Sequence, residues 1–166
     1  WVAGTFVVNV PLAASTRIRA ALAEGDFEAA TRLLGAPYVV SGRVVRGRQL
    51  GRSLGYPTAN LRFGGKHPAL SGIYATFVHG VGDAPWPSVS SFGTRPTVGG
   101  VEPLLEPHLF DFDGDLYGRR ISVEFVARLR DEEKFPDLPT LVAQMDRDAA
   151  RAREILQSTP PRQACA

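Results

Sequence analysis

Residues 121–130 read ISVEFVARLR. Ile121, Val123, Phe125, Ala127 and Leu129 share one face of an extended chain, and mostly polar residues share the other. A period of two predicts a strand with one face in a core. The same kind of signal recurs toward the N-terminus. Residues 38–46, 56–63, 72–80, 88–92 and 104–112 are short runs rich in β-branched and aromatic residues, with Gly or Pro at every junction. Six strands with no helical pattern between them predict an antiparallel barrel or sandwich.

Helical patterns flank this block. Residues 15–34 read as helix, with Ser15 or Thr16 as N-cap and Gly25 and Asp26 interrupting it. Gly35 ends that stretch, and Pro37 confirms the break. Asp137 is the N-cap candidate of a last helix, with Pro139 in its first turn. Leu138, Leu141, Val142, Met145, Ala149, Ala152 and Leu156 form its apolar stripe, which should pack on the barrel. Residues 158–166 are expected to fray.

The composition suits one soluble domain. The chain has 166 residues, of which 44% are hydrophobic and 22% charged, enough for a packed core. No apolar run approaches a membrane span, so no membrane partner is expected. The single Cys165 excludes an internal disulfide framework and a cysteine zinc site, so a reduced cytoplasmic setting fits. The chain opens on Trp1 rather than Met, and is expected to be cut from something longer. The net charge of +2 conceals an asymmetry: residues 29–82 hold no Asp or Glu but do hold Arg32, Arg43, Arg46, Arg48, Arg52, Arg62 and Lys66. Such a segment draws phosphate or serves as a solvated basic face.

The densest motif is Gly47-Arg48-Gln49-Leu50-Gly51-Arg52-Ser53-Leu54-Gly55-Tyr56-Pro57-Thr58-Ala59-Asn60. Glycines let backbone N–H groups approach a phosphate, and arginines add charge. On an extended strand Thr58 and Asn60 point the same way. A hydroxyl and an amide oxygen are hard ligands, suited to a Mg²⁺ shared with phosphates and water. A long hairpin with a glycine-rich turn is the plainer alternative. Other nucleotide, hydrolase and zinc signatures are absent. The acidic run of Asp111, Asp113 and Asp115 lacks the glycine spacing and the Glu of a calcium loop.

This motif, followed in order by SGIYATFV, FGTRPTV, EPHLFDFDGDLYGRRISVEF and LRDEEKF, resembles the riboflavin kinase module of bacterial bifunctional FAD synthetases. The resemblance runs from about Leu34 to Leu156. It implies a mainly β fold, a six-stranded antiparallel Greek-key β-barrel with a long C-terminal helix. It implies an ATP-dependent kinase that phosphorylates the ribityl 5′-hydroxyl of riboflavin, giving FMN and ADP, with Mg²⁺. Residues 14–19 (ASTRIR) resemble the end of the preceding adenylyltransferase module, so 1–34 is expected to be its remnant or linker. The catalytic half of that module is absent from these residues, and the module in the parent chain is an implied partner.

The resemblance also assigns roles. Thr58 and Asn60 would hold Mg²⁺ and the nucleotide phosphates, with Gly47 and Arg52 in the flap above them. Leu109, Asp115 and Tyr117 would line the adenine side. Arg95 and Thr97, at the start of a loop to Glu102, would form one flavin-side flap, and Arg130 with Glu132 a second. Glu106 in Glu106-Pro107-His108 falls where the family carries its catalytic base. A solvent-facing strand Glu is the plainer reading of Glu106, as an ordinary ion pair is for Arg130 and Glu132. His108 shares the face of Glu106 by alternation. Pro107, where the family has a residue with an N–H, predicts local irregularity in this strand. Two rival functions remain: an oligonucleotide-binding barrel, which needs exposed aromatics beside cations, and a non-catalytic flavin binder, which needs no phosphate site.

Overall fold

A computed structural model describes residues 12–47, 50–62, 70–97 and 100–162, without the side chains of residues 12–14, 50, 52, 95–97, 100 and 101. Six strands close into a barrel: β1 (Val39–Val45), β2 (Asn60–Arg62), β3 (Gly72–His79), β4 (Trp86–Thr97), β5 (Gly100–Leu109) and β6 (Arg120–Arg130). Their order around the barrel is β1-β2-β5-β4-β3-β6, with every pair antiparallel. Strands β3, β4 and β5 form a meander, and β6 returns beside β3, which is the Greek-key arrangement. Closure leaves no unpaired sheet edge.

Alternation builds the core as the sequence predicts, except at the end of β6, where a register irregularity against β3 after Phe125 turns Ala127 and Leu129 from the expected face to the outside of the barrel. Val40, Val44, Leu61, Tyr74, Val78, Phe92, Leu105, Leu109, Ile121, Val123 and Phe125 fill the barrel from all six strands. Three buried hydroxyls interrupt this apolar packing. The Thr76 Oγ1 lies 2.7 Å from both Ser88 Oγ and Ser90 Oγ, so none is left unpaired at the usual cost of about 1–3 kcal/mol.

The N-terminal helical stretch is two helices, α1 (Leu12–Glu24) and α2 (Phe27–Leu34). Ser15 and Thr16 lie inside α1 and are not its cap. The interruption falls where expected: Gly25 takes φ +77, and Asp26 caps α2 by accepting the Ala29 N–H at 2.8 Å. A side chain at Gly25 would also strike Arg128 Cβ at 2.6 Å. The turn delivers Phe27, 3% exposed, into the end of the barrel. Its ring stacks on Phe125 and meets Tyr74 edge-on, both at 5.7 Å between centroids. Ile18, Ala21, Leu22, Phe27 and Ala30 of the two helices therefore belong to the barrel core.

After the short helix α3 (Leu50–Ser53) in the glycine-rich turn, the remaining helix is α4 (Leu138–Ser158). Asp137 caps it by accepting the Thr140 N–H at 2.8 Å. Ala152 and Leu156 pack on Ala75, Phe77, Phe110 and Leu129, the outward side chains of the barrel. Leu138 departs from the expected stripe and is 54% exposed, because it starts the helix beyond the sheet. The tail also departs from expectation up to Arg162. The Arg162 N–H donates to Glu124 Oε1 at 3.1 Å, and the other oxygen of that buried carboxylate pairs with His79 Nε2 at 2.8 Å. Residues 163–166, with Cys165, lie outside the described residues.

Three strand expectations change. β2 is only three residues long, so residues 56–59 lead into the sheet without joining it. β4 and β5 run on as one long hairpin as far as Thr97↔Gly100, so Arg95 and Glu102 sit in strands, directly opposite each other. The one-to-one register of β5 on β4 passes through Pro107 without a bulge. Pro107 is tolerated because its carbonyl accepts the Ala59 N–H at 2.9 Å just before β2 begins, and no donor is required of it there.

Candidate active site

Leu105, Pro107 and Leu109 are buried and alternate with Glu106 and His108, so Glu106 points to the outside of the barrel. Register fixes its neighbours. On one side β5 pairs Glu106 with Ser91 of β4. On the other, the Leu61↔Leu105 pair and the Ala59–Pro107 hydrogen bond bracket Asn60 against Glu106. Asn60, Glu106 and Ser91 thus form a row across three adjacent strands on one face, with directly opposed Cβ atoms about 4.5–5.5 Å apart in such pairs.

The glycine-rich turn closes over the Asn60 end of this row. Asn60 is 7% exposed. A Cβ on Gly47 would stand 2.4 Å from its Cγ, Nδ2 and Oδ1. A Cβ on Gly51 would stand 2.2 Å from the Tyr56 carbonyl oxygen and 3.6 Å from Thr58 Oγ1. Glycine at both positions brings the turn into contact with the two proposed metal ligands, which a larger residue would prevent. The lead into β2 is pinned from below. His108 Nδ1 donates to the Pro57 carbonyl at 2.9 Å, its ring meets Tyr56 at 4.9 Å, and the Tyr56 hydroxyl donates to Asp146 of α4. Burial holds the His108 imidazole below its usual range. Burial, reinforced by Asp146, pushes the Tyr56 phenol up to about 12.

Thr58 also borders a cleft of about 360 Å³ at the barrel mouth, lined by Val44, Leu109, Phe112, Asp115, Leu116 and Tyr117, among others. Leu109, Asp115 and Tyr117, singled out as nucleotide-side residues, therefore meet in one cavity with Thr58. The Asp115 carboxylate accepts the Tyr117 N–H at 2.8 Å and so shapes the turn. The guanidinium of Arg46 lies 5.1 Å from the Tyr117 ring centroid. Arg153 of α4 holds the start of that turn, pairing with Asp111 at 2.8 and 3.1 Å. Asp111 has φ 55, the one positive φ outside glycine among the described residues. The Arg153 hydrogen bonds hold its carboxyl below the usual range.

At the far end of the row stands Glu132. Its carboxylate rests on Gly93, two residues along β4 from Ser91: a Cβ there would be 2.2 Å from Oε1. Burial raises its pKa, with Arg130 opposing the shift. Arg130, expected on the flavin side, is occupied inside the protein by Asp148. The side chains of Arg52, Arg95 and Thr97 lie outside the described residues. Sequence reasoning missed Ser91, Gly93, Tyr56, Asp146 and Asp148, and the apolar lining of Val44, Phe112 and Leu116.

The residues fit a metal held jointly with a nucleotide. Among the described residues no cluster of three or more His, Cys, Asp or Glu side chains offers a complete cage. Thr58 and Asn60 offer two hard oxygens under a backbone-lined turn, and phosphate and water oxygens would complete the set.

The family model Flavokinase, described as riboflavin kinase, matches residues 34–156. The chain belongs to the riboflavin kinase family. It is 46% identical over 147 residues to a bifunctional riboflavin kinase/FMN adenylyltransferase of Escherichia coli (strain K12), covering 89% of this chain and 47% of that protein. The chain spans about half the length of the curated relatives it matches. A crystal structure of riboflavin kinase from Trypanosoma brucei superimposes with a TM-score of 0.52 at 25% identity, covering 74% of this chain and 81% of that one. A second crystal structure, described as a macrolide-efflux protein from Streptococcus pneumoniae, gives 0.75 at 36% identity over 88% of this chain and 47% of that one. That description belongs to the other protein. No helix among the described residues is long and apolar enough to cross a membrane.

Proposed function

We propose that this chain transfers the γ-phosphoryl group of ATP to the ribityl 5′-hydroxyl of riboflavin, giving FMN and ADP. The observation that carries the reading is the row Asn60–Glu106–Ser91, which sets a carboxylate directly beside the glycine-covered Asn60. ATP enters the cleft beside Leu109, Asp115 and Tyr117, with its phosphates toward Thr58, Asn60 and the turn carrying Gly47 and Arg52. Mg²⁺, when held by Thr58 and Asn60, supplies charge neutralisation for the phosphoryl oxygens. Riboflavin approaches from the Ser91–Gly93 side, beside Glu132 and the segments of Arg95 and Thr97. Glu106 takes the hydroxyl proton as the ribityl oxygen bonds to the γ-phosphorus, and the bond from that phosphorus to the β-bridging oxygen breaks to release ADP.

Pairing on both sides of β5 keeps Glu106 in place, so little ordering is left to the moment of reaction. Strand aromatics Tyr74, Phe77, Phe92 and Phe125 are buried, which supports a catalytic barrel over an oligonucleotide platform. An ATP-dependent reaction suits the cytoplasm. Residues 12–34 would join the kinase to a preceding adenylyltransferase module while closing the barrel end.

The test is direct. The purified chain, given riboflavin and MgATP, should form FMN, resolved by chromatography with fluorescence detection. Glu106→Gln keeps size and hydrogen bonding but not basicity, so kcat should fall about 10²–10⁴-fold with KM nearly constant. Glu102→Gln should stay within a few-fold of the parent. No FMN from the parent chain overturns the function, and a Glu106→Gln variant that keeps most of its kcat removes Glu106 as base.

A further inference from the structure

The register that pairs Leu61 with Leu105 and brings the Ala59 N–H to the Pro107 carbonyl sets Thr58 opposite His108 when it is carried one residue further. Thr58 has no ladder to hold it there, because β2 starts only at Asn60. The backbone around it is fixed at three points instead. The Tyr56 N–H donates to the Gly51 carbonyl at 2.8 Å, the Ala59 N–H to the Pro107 carbonyl at 2.9 Å, and between them His108 Nδ1 donates to the Pro57 carbonyl at 2.9 Å. A carbonyl oxygen only accepts, so Nδ1 carries the proton whatever the charge of the ring. The Pro57 carbonyl belongs to the rigid peptide plane that ends on the Thr58 Cα, so this bond sets the direction in which the chain reaches Thr58.

Helix α4 braces the same place. Asp146 and Arg153 are seven residues apart, two turns of α4, and so share a helix face. Asp146 accepts the Tyr56 hydroxyl, and the Tyr56 ring lies 4.9 Å from that of His108. Arg153 lies 4.2 Å from the centroid of the Phe110 ring, which meets His108 edge-on at 5.9 Å. The imidazole is thus packed between two rings, each tied to α4. Exposed contacts of the Arg153–Asp111 kind add little to stability. Their gathering around the peptide that precedes a site residue calls for another role.

We propose that His108 is a positioning residue for the phosphate side of the reaction: its Nδ1–H, braced through Tyr56 and α4, fixes the Pro57–Thr58 peptide so that the Thr58 hydroxyl faces the nucleotide phosphates. This rests on the riboflavin kinase reading. It makes His108 act through Thr58 and not through Glu106, two residues away on the same face of β5.

Three variants of the full chain test it, read by MgADP binding in calorimetry, riboflavin fluorescence quenching, FMN formation and Tm. Leu and Asn share one branched outline, and only Asn offers an N–H where histidine presents Nδ1. His108→Leu should weaken MgADP binding and raise the KM for MgATP about 10-fold, the scale of one lost hydrogen bond. Its riboflavin Kd should stay within two-fold and its Tm within a few degrees of the parent. His108→Asn should recover MgADP binding to within about three-fold. Tyr56→Phe keeps the ring, loses only the tie to Asp146, and should fall between the parent and His108→Leu. The proposal is overturned if His108→Leu binds MgADP as the parent does, if it fails to fold, if Asn and Leu behave alike, or if riboflavin weakens equally. A fall in kcat with MgADP binding intact overturns it too, by assigning His108 to the base. Should the parent itself form no FMN, the kinase reading fails instead; normal FMN formation with unaffected variants rejects this inference alone.

Discussion

Replacing Gly47 by alanine tests the phosphate site through one methyl group. Gly47 has no positive φ, so its backbone accepts alanine without strain. The new Cβ would stand 2.4 Å from three atoms of the Asn60 amide, against 3.4 Å or more for ordinary contact. Asn60 must therefore retreat by about 1 Å, and it is buried beside Glu106 with little space behind it. Overpacking of this kind costs about 1–3 kcal/mol of stability. A displacement of about 1 Å in a positioning group costs about 10²-fold in rate, or about 2.7 kcal/mol in the barrier. The loss should appear in kcat/KM for MgATP, with riboflavin binding preserved, in steady-state FMN formation at varied MgATP. Gly82→Ala is the control: its Cβ meets nothing within 4 Å, and both rate and Tm should match the parent. A folded Gly47→Ala enzyme with kcat/KM for MgATP within two-fold of the parent would refute the placement of Asn60 under the turn.

Thr58→Ala removes one hard oxygen from the proposed metal site, so FMN formation should fall by about 10-fold or more; unchanged activity at limiting Mg²⁺ argues decisively against that role. Phe27→Ala deletes a ring stacked on Phe125 at the barrel end and should cost about 3–5 kcal/mol, a Tm drop of about 6–20 °C by circular dichroism. A drop under about 3 °C would show that α2 is not part of the core. His108 is held neutral by burial, so its folded pKa lies below its unfolded one. Its contribution to stability is full above the unfolded value and is lost as pH falls through the folded one. Tm should therefore decline between about pH 7 and pH 5 more steeply in the parent than in His108→Gln; parallel profiles would reject this source.

The barrel was legible because its core residues obey a period of two that no helix shares. Strand lengths were less so. The 88–92 run showed only the middle of β4, since the rest carries Trp86 and Pro87, which pair with β3, and Thr94 and Pro96, which pair with β5. In the candidate site, residues with distinctive types were found, and residues that matter by location were missed. Ser91 carries no local signal, because only register sets it beside Glu106. Gly93 did carry one: a glycine inside a strand marks a close approach, here that of Glu132. Asp148 carried another, an acidic residue in helical step with Met145, Ala152 and Leu156. Arg130 stood out by its residue type, but its partner lies 18 residues away on another element, so its engagement needed the tertiary structure.

The row across β2, β5 and β4 has an evolutionary consequence. The outward position of Asn60, Glu106 and Ser91 is set by their apolar neighbours on the same strands, not by anything in their own chemistry. Inserting one residue within β5 ahead of Glu106 would turn its carboxylate into the barrel and bring a leucine or proline to the surface. Insertions in the connecting turns leave that parity untouched. Length variation among relatives should therefore collect in the segments between strands. Substrate preference can then drift there while the position of the base stays locked to the packing of the core.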